Sequence, residues 1–125
     1  AICNGIFDKK HGIIDLPIAR KENSIIERCI SENGQKSITH YKVLKEFNNY
    51  SLVNCTLETG RTHQIRVHMA AIGHPLIGDS LYGTISDFID RQALHCYKLH
   101  FVHPVTKCSL DFFGDLPSDF KIFDF

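Results

Sequence analysis

The chain has no surplus charge of either sign: 14 Lys and Arg stand against 14 Asp and Glu in 125 residues, and the pI is near 7.2. A global basic footprint of the kind nucleic-acid binders carry is therefore absent, and any such surface must be a local patch. No Cys-x-x-C pair occurs. Cys3, Cys29, Cys55, Cys96 and Cys108 are an odd, scattered set, which argues against a disulfide framework and a structural zinc and for reduced thiols in a cytoplasmic protein. There is no apolar window of the length that spans a bilayer and no basic leader ahead of an apolar run, so neither a membrane nor a secreted location is expected. A Gly-x-Ser-x-Gly elbow is also missing, which removes the hydrolase triad. Of the eight histidines, His63, His68 and His74 cluster, but their spacing is not that of a His-x-x-x-His zinc helix and no acidic residue lies between them. No metal is expected. Internal repeats and low-complexity tracts are lacking too.

What is present is an ordinary globular composition, 43% hydrophobic and 22% charged, enough for one domain with a modest core. Its most specific stretch runs from Gly60 to Asp79. Ile65 to Ile72 is mostly apolar, Thr62 can serve as N-cap, and Gly73 followed by Pro75 supplies a stop, so this segment reads as a helix. Ile65, Met69 and Ile72 share one stripe and Val67 and Ala71 the opposite one, as expected of a buried helix. Such a helix has to satisfy Arg66, whose guanidinium keeps its charge and needs a carboxylate, a phosphate or water. An ordinary internal ion pair or a snorkelling side chain would also satisfy it. The helix start, with Arg61 and Thr62 beside it, is a candidate anion site.

Other elements follow from turn chemistry. Ala1 to Phe7 reads as the end of a strand, and Pro17 limits pairing after Ile13 to Leu16. Residues 19–24 read as a solvated polar loop. Asn33-Gly34 between Ile25–Ile30 and Ser37–Leu44 predicts a two-residue hairpin. Asn48-Asn49 turns the second arm into Tyr50–Leu57, whose partial alternation suits strands buried on one face. Ile85 to Arg91 is a short segment, helical or loosely ordered. Leu94, Tyr97, Leu99, Phe101 and Val102 form a strand returning over Lys107 to Phe113, and Phe120, Phe123 and Phe125 form a closing hydrophobic plug. Asp79 is expected to cap a turn or pair with a nearby basic group.

The phrase Gly60-Arg61-Thr62-His63-Gln64-Ile65-Arg66-Val67-His68-Met69 closely resembles the third motif of the RluA-type family of RNA pseudouridine synthases. Gly12 through Pro17 and Ile18, Gly34-Gln35-Lys36 with Thr39 and Tyr41, Arg91 with Leu94-His95, and His103-Pro104 follow in that family's order. The resemblance implies an α+β fold, mainly an antiparallel or mixed sheet of five or six strands with one buried helix, as part of a pseudouridine synthase catalytic domain. It implies isomerisation of uridine to pseudouridine in rRNA or tRNA, without a cofactor. Arg66 would be the catalytic arginine that pairs with an aspartate, and Arg61, Thr62, His63, Gln64, Leu94 and His95 would bind substrate. Residues 19–24 would belong to an RNA-facing loop or hairpin.

In this family the nucleophilic aspartate stands in His-Arg-Leu-Asp, upstream of a tyrosine that stacks on the uracil. Neither motif occurs in these 125 residues, where Leu-Asp appears only at Leu110-Asp111. The expectation is a single truncated domain over residues 1–125, the C-terminal portion, inactive by itself. The alternative is a non-catalytic RNA-binding or assembly module. Uncovered sheet edges are expected to favour a homodimer. Lacking its carboxylate, Arg66 is expected to capture an anion or water, or to swing toward Asp79.

Overall fold

The computed structural model describes residues 1–123, with side chains described as far as Phe120. The expected contributions of the Phe123 and Phe125 side chains lie outside the described residues. Four strands, β1 (Ile2–Asn4), β2 (His11–Asp15), β5 (Ile38–Phe47) and β6 (Tyr50–Leu57), form an antiparallel sheet in the order β1-β6-β5-β2. Two ribbons flank it: β3 (Ile18–Arg20) with β4 (Arg28–Ile30), and β7 (Lys98–Val102) with β8 (Ser109–Phe113). The helix, α1, runs Gln64–Ala71, and a 3₁₀ helix over Ser118–Phe123 closes the described chain. The class is α+β as expected, but the strands are distributed over one sheet and two ribbons rather than a single sheet of five or six.

The long β5-β6 hairpin frames the domain because its residues alternate. Thr39 on β5 and Ser51 and Val53 on β6 face inward, while Leu44 at the β5 bulge is exposed. The turn is Asn48-Asn49, and Asn48 takes the positive φ (52°) that asparagine tolerates. Met69 from α1 packs with Cys3, Phe7, Ile14, Val53 and Leu76 in one core cluster; Ile2, Ile77, Ile89, Ala93 and Phe120 form a second. Burial of these side chains contributes roughly 1.5–3 kcal/mol for each large one.

Three expectations are corrected. The Asn33-Gly34 turn does not join β4 to β5 as a hairpin. Gly34 N–H instead closes a tight turn onto Ser31 O (2.9 Å), and the chain then bridges Gln35 to Ile18, so β4 pairs with β3 and β5 with β2 and β6. Gly34 is required by close approach, since a Cβ there would lie 2.6 Å from the Ile18 carbonyl carbon. Residues 19–24 are not the solvated loop of the one reading but, as the loop-or-hairpin alternative allowed, begin inside β3 and lead through the hairpin to β4. Leu94 and Tyr97 precede β7 rather than belonging to it, because Arg91 holds the approach: its Nη1 donates to Gln92 O and Leu94 O (both 3.0 Å) and its other nitrogens to Asp119.

A buried polar relay locks α1 to the sheet. Gln64 Nε2 donates to Ile38 O and Thr39 Oγ1 (both 3.0 Å), and Thr39 Oγ1 bonds to His68 Nδ1 (2.8 Å). His68 Nε2 in turn donates to Leu16 O (2.9 Å), the tautomer that lets Nδ1 accept from Thr39. His68 is fully buried, and burial depresses its pKa below the ordinary 6.5 despite the favourable Leu16 carbonyl. A histidine with a depressed folded pKa contributes stability that is complete above the unfolded value and declines as pH falls below it toward the folded one. The urea midpoint should therefore be lower at pH 5.5 than at pH 7, with a slope of at most about 1.4 kcal/mol per pH unit for this imidazole. In His68→Asn the difference should shrink; an undiminished difference would assign the acid sensitivity elsewhere.

Candidate active site

Arg66 sits midway along α1 and is nearly buried, its side chain 10% exposed. Its charge is met by Asp79, which is wholly buried: Nε donates to Oδ2 and Nη2 to Oδ1, each at 2.8 Å. This is the bidentate pairing that a planar guanidinium makes best. Asp79 Oδ1 also accepts the backbone N–H groups of Leu81 (3.0 Å) and Tyr82 (3.1 Å). Burial alone would push the Asp79 carboxyl up, but the guanidinium and these two N–H groups together outweigh it and hold the pKa below the usual range. Asp79 thus does both things its sequence position suggested, capping a turn and pairing with a base.

The loop bearing Asp79 is tightly closed. Gly83 N–H returns to Asp79 O (3.0 Å) and Gly78 N–H reaches Thr84 O (2.9 Å). Gly78 has φ +73°, and an added Cβ would collide with the Arg91 carbonyl oxygen, so glycine is required there. Tyr82, carried by the same loop, lays its ring 5.1 Å from the Arg66 guanidinium carbon, a cation–π distance. Its hydroxyl accepts Arg28 N–H and shares a hydrogen bond with His63 Nδ1, both at 2.8 Å.

One nitrogen of Arg66 is left over. Nη1 makes no hydrogen bond among the described residues, and the fully buried side-chain polar atom without a partner there is His95 Nε2, so Nη1 opens to solvent. Asp79 therefore occupies the guanidinium side-on and leaves its end free for a second anion.

The other expected site residues divide. Thr62 is exposed and does not cap α1; the N-cap is His63, whose left-handed conformation (φ 57°) makes no side-chain cap. Gln64 braces the frame: Oε1 accepts from Thr59 Oγ1 (2.8 Å) and Arg61 N–H (3.0 Å), and Nε2 donates twice as described. Arg61 Nε is tethered to Lys36 O (3.0 Å), and its terminal nitrogens make no hydrogen bond among the described residues. Leu94 packs against the core cluster containing Met69, and His95 meets Phe120 edge-on (6.4 Å). Neither joins the Arg66 network by hydrogen bonding or ring contact among the described residues. His63, His68 and His74 do not converge: each has its own partner, His74 Nδ1 bonding Asn4 O (2.9 Å) while the ring stacks on Phe7. Tyr82 was not singled out from sequence, although its place three residues after Asp79 was a usable signal.

Known proteins resemble this chain in sequence and in fold. A family model described as RNA pseudouridylate synthase matches residues 1–71. The chain is 47% identical over 119 residues to an uncharacterized RNA pseudouridine synthase, YjbO, of Bacillus subtilis, covering 95% of this chain and 42% of the relative. It is 41% identical over 135 residues to the ribosomal large subunit pseudouridine synthase D of Pasteurella multocida, covering 96% of this chain and 41% of the relative. Among solved structures, human RNA pseudouridylate synthase domain containing 1 superimposes with a TM-score of 0.80 at 30% identity, over 92% of this chain and 52% of that one. The chain spans about two fifths of the length of these curated relatives. With a matched family model over more than half its residues and the arginine-bearing motif at the centre of its buried site, the chain belongs to the RNA pseudouridylate synthase family.

Proposed function

We propose that this chain serves the isomerisation of uridine to pseudouridine in RNA, contributing the arginine that holds the catalytic carboxylate. The observation that carries this is the Arg66 guanidinium, fixed side-on by Asp79 with Nη1 left over. Isomerisation breaks the glycosidic bond, turns the uracil and joins C5 to the sugar. A carboxylate that performs it has to stay ionised and oriented, and a guanidinium within hydrogen-bond reach does both. Asp79 is a positioning residue in this reading, and the Tyr82 ring packs over the guanidinium.

The relatives named for the ribosomal large subunit favour rRNA over tRNA as the substrate. A cytoplasmic location fits that substrate, and no helix among the described residues is long and apolar enough to cross a membrane. The 125 residues carry no His-Arg-Leu-Asp, so in isolation they are expected to bind RNA without turning it over.

The test is tritium release from RNA labelled at uridine C5. The chain alone should release none. A chimera in which it replaces the matching stretch of the Pasteurella multocida relative should release tritium from large-subunit rRNA. A folded chimera without turnover would refute the proposal.

A further inference from the structure

Five arginines occur in the sequence, and they fall into two groups. Arg66 and Arg91 are each paired bidentately with an aspartate, Asp79 and Asp119. Arg20, Arg28 and Arg61 have no carboxylate partner among the described residues, and all three line one open pocket of ≈ 280 Å³. Arg20 and Arg28 are register partners across the β3-β4 ribbon, and Arg61 joins them from the loop before α1, distant in the chain.

Two of the three are tethered through neutral acceptors. Arg28 Nη1 reaches the carbonyls of Ile25 and Ile26 (3.3 and 3.1 Å), and Arg61 Nε reaches Lys36 O (3.0 Å). Backbone carbonyls orient a guanidinium without cancelling its charge, and among the described residues both arginines keep terminal N–H groups that donate to nothing. Arg20 donates to nothing among the described residues. The pocket is polar between them, with Asn33, Gln35 and Thr62 on its wall. In a chain whose net charge is zero, this is a concentrated, uncompensated cationic site. His63 next to it has its pKa lowered by burial first and then by Arg66 and Arg28, with Asp79 opposing.

We propose that Arg20, Arg28 and Arg61 clamp successive phosphodiesters of a single-stranded RNA segment, one guanidinium to each. The proposal rests on the reading that the chain acts on RNA, and it names where the backbone is gripped. Guanidinium forks match phosphate oxygens, and phosphate contacts fix register while leaving base choice to other groups. Tyr82 joins the clamp to the site, because its hydroxyl accepts Arg28 N–H while its ring covers Arg66. A strand gripped here is therefore held beside the guanidinium that faces the reaction.

The experiment is a KCl titration of fluorescein-labelled oligouridylate binding to the 125-residue chain, read by anisotropy. It uses Arg20→Gln, Arg61→Gln, their combination, and Lys45→Gln as an exposed charge outside the pocket, each checked by thermal melting. The slope of log K against log[KCl] should become shallower by about 0.7 for each arginine removed, additively, and Lys45→Gln should leave it unchanged. Unchanged slopes in the arginine variants, an equal change in Lys45→Gln, no binding by the unmodified chain, or tighter binding of an acidic peptide than of oligouridylate would each overturn the clamp. The result is separable from the catalytic reading: a chimera that releases tritium while the slopes stay fixed removes the clamp and leaves the activity standing.

Discussion

Asp79→Ala should destabilise the chain by roughly 3–5 kcal/mol, the usual cost of leaving one member of a buried ion pair without its partner. The substitution removes two charge-assisted hydrogen bonds from Arg66 and strands the N–H groups of Leu81 and Tyr82, which lose the acceptor that shapes their turn. Arg66 cannot escape by deprotonating. Its Nη1 already touches solvent, so part of the penalty is relieved by water, which places the expectation within that range rather than above it. Urea unfolding followed by circular dichroism measures it. Arg66→Met combined with Asp79→Leu should cost markedly less than Asp79→Ala alone, because an apolar pair leaves no buried charge. If both changes cost the same, the pair is not what makes Asp79 matter.

The need for this pair was legible in the sequence. A mostly apolar helix carrying an arginine demands a counter-charge, and Asp79 was one of the named possibilities for Arg66. The β5-β6 and β7-β8 hairpins were legible for a similar reason, since each arm lies next to its partner in the chain and the turn residues sit between them. What failed depended on distant contacts. Asn33-Gly34 is a turn, but which strand β4 joins is decided by Ile18, which pairs with Ile30 and bridges to Gln35. Thr62 has the right chemistry for an N-cap, yet His63 takes the left-handed conformation and becomes the cap residue. The bracing role of Gln64 was not foreseen either: its side chain bonds to Thr59, Arg61, Ile38 and Thr39, from both sides of the frame. Of the arginine clamp, Arg61 stood out as part of a candidate anion site and Arg20 lay in the segment that the resemblance marks as RNA-facing, but only the fold sets the β3-β4 ribbon carrying Arg20 and Arg28 beside Arg61.

The larger catalytic effect should come from Arg66→Gln. Glutamine keeps a donor but loses the charge and the forked geometry, so Asp79 and any second carboxylate lose a common partner. In the active chimera kcat should fall by about 10²–10³-fold, the scale seen when one preorganised electrostatic contact is removed. A drop in rate alone would not separate a catalytic arginine from a structural one, since the variant also strands a buried Asp79. Protonation of the nucleophile does separate them. A guanidinium beside a carboxylate lowers its pKa by about 1–3 units, so removing it should raise the pH below which the enzyme falls silent.

The decisive measurement is therefore the pH dependence of tritium release by the chimera with and without Arg66→Gln, at a temperature where both are folded. The acidic limb should move upward by about 1–3 pH units in the variant. A limb that stays where it was, whatever happens to the plateau rate, would mean that Arg66 does not face the reacting carboxylate.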